Sequence, residues 1–164
     1  MKHLVYIFFL CLFVLSCAPA DNSKNDIALI NKYVTAVEEL NYAEIESLLD
    51  DNYLGLGPSH GDSISKSQVL SSLKTNFENL YQSIDYEKSM SIGVSIPDGE
   101  NKGNWVSNWA ELSITYKEDK SQVTILTNSV YKIENGKIVK SYSFYNEADV
   151  LDQLGYVFIN PDDL

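Results

Sequence analysis

The sequence has no arginine, two histidines, two cysteines and four prolines among its 164 residues. Without a guanidinium, no side chain can grip a phosphate or carboxylate through two parallel hydrogen bonds. The 12 lysines face 23 acidic residues, a net charge of −11. A chain so acidic repels polyanions, which excludes nucleic acid as a partner. A zinc site built from nitrogen and sulfur needs several Cys and His ligands at fixed spacing, and none is present, so neither a metal nor another cofactor is expected. What the chain does have is apolar content, 45% with 12% aromatic, enough for a core in one domain.

Residues 1–16 differ from the rest. Lys2 and His3 precede an apolar run from Leu4 to Leu15, too short to span a membrane alone but suited to the apolar region of a signal peptide. The run ends in Val14-Leu15-Ser16-Cys17, which resembles the lipobox of bacterial lipoproteins, in which the cysteine is lipidated and becomes the first residue after cleavage. The resemblance implies a signal peptide over 1–16, a lipidated Cys17, a tether over 17–24, a domain over 25–158 and a tail over 159–164. It implies membrane contact through the anchor in a bacterial cell envelope, and Ala18 in place of an aspartate favours the outer membrane. The mature chain would keep one histidine, His60, and its 11 remaining lysines against 23 acidic residues would set its net charge at −12.

From Asn25 the apolar residues fall at helical spacing. Ile27, Ile30, Val34 and Val37 form one stripe, and Leu29, Tyr33, Ala36 and Leu40 a second beside it. A second short helix is expected over 43–49, an edge strand over 53–56 and a loop over 57–61. A third helix follows, capped by Ser65 or Ser67, with Val69, Leu70, Leu73, Phe77, Leu80 and Tyr81 inward. From Tyr86 the period changes to two, which predicts strands over 86–96, 104–117, 121–133 and 137–145. Their links are short, which requires antiparallel neighbours, and Asn135-Gly136 supplies the positive φ angles of a tight turn. Residues 147–154 return to helical spacing, with Gly155 to end the helix. Helices first, strands after and a closing helix define an α+β domain: three N-terminal helices on a curved antiparallel sheet, then a short C-terminal helix.

The stretches NKYVTAVEELNYAEIESLLDDNYLGLGP and ENGKIVKSYSFYNEADVLDQLG resemble the two ends of the nuclear transport factor 2-like cone, and within it the SnoaL-like proteins and ketosteroid isomerases. In the isomerases a tyrosine and a protonated aspartic acid donate hydrogen bonds to the substrate oxygen while a second aspartate moves the proton. The resemblance matches Tyr33 to that tyrosine and, counting back from Gly136-Lys137-Ile138, puts Asn128 where the donor acid would lie. Gly57 takes the place of the base, Tyr145 that of an aromatic wall, and Asn146 a place where many SnoaL-like chains carry aspartate.

A cone lined by Tyr33, Leu126, Asn128, Val130 and Tyr145 and lacking the base suggests a non-catalytic module that binds a small apolar molecule or a protein partner. The alternative is a proton-transfer enzyme of isomerase, cyclase or dehydratase type on a small carbonyl compound. In that case His60, the one imidazole of the mature chain and in the loop at the expected mouth, is the candidate base. If Tyr33 and Asn128 face a common point, restoring a carboxylate at Gly57 should return weak activity. Glu111 shares a face with Trp105 and Trp109. If that face points inward Glu111 is a buried carboxylate, and if outward the tryptophans suit packing or a homodimer through the sheet.

Overall fold

A computed structural model describes residues 23–160. The signal segment, Cys17, most of the tether and residues 161–164 lie outside the described residues. Helix α1 (Ser23–Glu38) starts two residues earlier than its apolar stripe suggests. Helix α2 (Tyr42–Leu48) is capped by Asn41, whose side-chain oxygen accepts the Glu44 N–H at 3.1 Å. Strands β1 (Leu49–Leu56) and β2 (Ser63–Ser65) follow, then helix α3 (Lys66–Asn79), opened by Ser65, whose backbone N–H donates to the Gln68 side chain at 2.9 Å. Strands β3 (Tyr81–Ile96), β4 (Gly103–Tyr116), β5 (Gln122–Glu134) and β6 (Lys137–Tyr145) precede the closing helix α4 (Glu147–Gln153).

One six-stranded sheet runs in the order β2-β1-β6-β5-β4-β3. The last four strands form the expected antiparallel meander, but β1 pairs with β6 in parallel, so the sheet is mixed. Strand β1 also begins at Leu49, directly after α2, so the segment read as the end of a helix is a strand, and the edge falls to the three residues of β2. At the other edge β3 is protected locally: Lys88 adopts a positive φ at a bulge, and the Tyr86 N–H donates to the Glu38 carboxylate at 2.8 Å.

The register decides which residues can meet. Val106 opposes Tyr131, Leu112 opposes Ile125 and Ile114 opposes Val123, so the even residues of β4 and the odd residues of β5 share the face covered by helices. There Ile30, Val34 and Val37 of α1 pack with Ile45, Leu49, Phe77, Ile84, Val106, Tyr131, Ile133 and Ile138 in one core. Trp105, Ser107, Trp109 and Glu111 occupy the other face with Leu126, Asn128, Val130 and Lys132.

Candidate functional site

Beneath α1 the curved sheet encloses a cavity of about 160 Å³. Four tyrosines line it, Tyr33 from α1, Tyr53 from β1, Tyr86 from β3 and Tyr131 from β5, with Ser129, Ser141 and Ser143 beside them and Gly55, Leu56, Gly57, Ile64 and Val69 completing the wall. The rings of Tyr33 and Tyr131 meet edge to face, 5.6 Å between centroids at 60°. The Tyr53 hydroxyl and the Ser141 hydroxyl lie 2.6 Å apart in a buried hydrogen bond.

Burial, the largest cause, pushes the phenols of Tyr33 and Tyr131 up from the ordinary tyrosine value, and the neighbouring phenols add to it. Tyr86 is pushed up to about 12, first by burial and then by the Glu38 carboxylate. At neutral pH these groups are therefore fixed as neutral O–H groups, which donate and accept hydrogen bonds but cannot serve as bases. Among the described residues no carboxylate and no imidazole lines the cavity. Asp26, the one buried carboxylate among the described residues, hydrogen-bonds Asn104 instead. Burial raises its pKa above the usual carboxylate value, and the Asn104 hydrogen bond partly opposes this.

Several expectations need correction. Asn128, Leu126 and Val130 lie on the face opposite Tyr33, and Asn128 accepts the Ser107 hydroxyl at 3.0 Å there. An offset of one residue moves a side chain to the other side of a strand, so the inward position is Ser129. Leu126, expected in the wall, is 76% exposed. Tyr145 pairs with Thr127 on the helix-covered face but stands apart from the residues lining the cavity. Glu111 is not a buried base: it faces outward and holds Lys88 at 2.7 Å.

Gly57 does border the cavity, but its φ is +90°, and a Cβ built there would lie 2.5 Å from the Ser143 carbonyl oxygen. The missing carboxylate cannot simply be put back. His60 is exposed on the loop between β1 and β2 and borders a separate groove with Tyr142 and Phe144. The same loop, Gly57-Pro58-Ser59-His60-Gly61, spells Gly-x-Ser-x-Gly, yet it does not form the strand-to-helix turn that a nucleophile elbow requires, and Ser59 is exposed.

Tyr53, Tyr86, Tyr131 and the three serines were not singled out from sequence. The signal was available for β5: the odd series Val123, Ile125, Thr127, Ser129, Tyr131, Ile133 carries no charge, whereas the even series contains Lys132 and Glu134.

No protein-family model matches the sequence, and no curated protein matches it. Solved structures do. A protein described as a polyketide cyclase from Xanthomonas campestris pv. campestris superposes with a TM-score of 0.67 at 12% identity, covering 82% of this chain and 99% of its own. One described as a SnoaL-like polyketide cyclase from Shewanella denitrificans OS-217 gives 0.61 at 13%, covering 78% and 95%. An LEH-like epoxide hydrolase of M. tuberculosis gives 0.59 at 11%, covering 81% and 91%. Identities this low speak to architecture, and the chain has the α+β fold of the SnoaL-like and ketosteroid isomerase-like proteins.

Proposed function

We propose that this chain is a lipid-anchored SnoaL-like protein of the bacterial cell envelope that holds a small neutral molecule in its tyrosine-lined cavity without turning it over. One observation carries the reading: among the described residues, every polar side chain lining the cavity is a phenol or a serine hydroxyl. Such a wall offers hydrogen bonds to a ligand carbonyl or hydroxyl, but no side chain in it exchanges a proton near pH 7. A volume of about 160 Å³ is below the usual size of drug-binding sites, so the ligand is small and not a steroid.

Native mass spectrometry of protein purified without chaotropes tests the binding. The expected result is a small noncovalent adduct beyond the mass of the polypeptide and its anchor, lost in Ser129→Leu, which fills the cavity. Bare protein mass in every preparation would count against a resident ligand. The anchor is tested separately, since Cys17→Ala should leave the membrane fraction or accumulate as uncleaved precursor. Unchanged partitioning of a processed Cys17→Ala protein would remove the lipid from this reading.

A further inference from the structure

The outer face of the sheet carries a second and larger concavity, independent of the cone. Val94, Ile96, Trp105, Val130, Tyr142 and Phe144 line a groove of about 410 Å³, within the range of small-molecule sites. Its wall is a row of stacked rings: Trp105 and Tyr142 have centroids 6.1 Å apart at 29°, and Tyr142 and Phe144 6.5 Å apart at 12°. The Trp105 indole N–H donates to the Asn101 carbonyl at 2.8 Å, which ties the β3–β4 loop to the groove and leaves Trp105 only 7% exposed. Phe144 and Val94 stay about half exposed, so the groove is open along its length.

The charge beside it is unusual for so acidic a chain. Lys140 holds its ammonium 5.1 Å from the Tyr142 ring centroid and forms no ion pair among the described residues. Glu134, two residues along β5 from the Lys132 that opposes Lys140, is engaged by Lys132. An apolar trough with the Lys140 ammonium at its border matches a molecule with an apolar chain and a single anionic head. We propose that this groove binds a monomeric fatty acid, its chain along Trp105, Tyr142 and Phe144 and its carboxylate at Lys140.

Tryptophan emission reports on the groove, because both tryptophans lie on this face of β4. Titration with decanoate should shift the emission saturably, with affinity falling up to about fourfold for each methylene removed. Lys140→Ala should weaken decanoate by roughly fivefold, the upper scale of an exposed ion pair. Lys140→Glu should reverse the preference, so that decylammonium binds better than decanoate. Equal binding of the two amphiphiles, unmoved by either substitution, would overturn the proposal. So would sedimentation as a dimer that decanoate leaves intact and Phe144→Ser dissociates, which would assign the face to a second copy.

Discussion

Gly57→Asp is expected to lower the thermal midpoint by about 10 °C and to leave the protein without proton-transfer activity. The φ of +90° is open to glycine and costly for any residue with a Cβ, roughly 1 to 3 kcal/mol. The Cβ must also clear the Ser143 carbonyl oxygen, 2.5 Å away and part of the backbone, which cannot rotate aside as a side chain could. Overpacking of this kind adds roughly 1 to 3 kcal/mol. At about 2 to 4 °C per kcal/mol for a domain near this size, the two terms together give the stated shift. Gly57→Ala should show nearly the same loss, because the backbone conformation and the Cβ cause it rather than the carboxylate. Calorimetry of the two variants checks this, and a Gly57→Asp protein as stable as the original would mean the loop has another conformation.

Tyr131→Ala should be the more damaging of two changes five residues apart. Tyr131 is buried against Tyr33 and the core of α1, so its removal leaves a cavity and should cost about 3 to 5 kcal/mol, as for other large aromatic side chains. Leu126→Ala, on the exposed outer face, should stay within about 0.5 kcal/mol. Tyr131→Phe separates the ring from its hydroxyl and should lose roughly 1 kcal/mol. Urea denaturation midpoints decide the matter. Comparable losses for Tyr131→Ala and Leu126→Ala would mean that the faces of β5 are assigned the wrong way round.

The architecture was legible because its signals are local and redundant. The stripes of α1, the change of period near Tyr86 and the Asn135-Gly136 turn, whose φ angles are +52° and +72°, each act over a few residues. The parallel pairing of β1 with β6 was not legible, since nothing local in Leu49–Leu56 marks a partner some 85 residues away. The site was harder still. Counting from the turn to Asn128 depended on parity, and both series of β5 contain apolar residues, so one step exchanged the cavity for the outer face. The cavity itself is assembled by pairing: Tyr53, Tyr86 and Tyr131 stand on three strands, and only the closed sheet gathers them under Tyr33. His60 drew attention through its intrinsic pKa, a property of the residue type that says nothing about where the loop places it.

Whether the cavity lacks a working base is tested most directly by deuterium incorporation at the α-carbon of cyclopentanone, a ketone small enough to be admitted, followed by NMR in D₂O from about pH 5 to about pH 9. The neutral phenols and serines around the cavity predict exchange no faster than in buffer alone, at every pH, in the unmodified protein and in His60→Ala alike. Exchange well above buffer that rises through about pH 6.5 and disappears in His60→Ala would contradict this and make His60 the base of an enzyme.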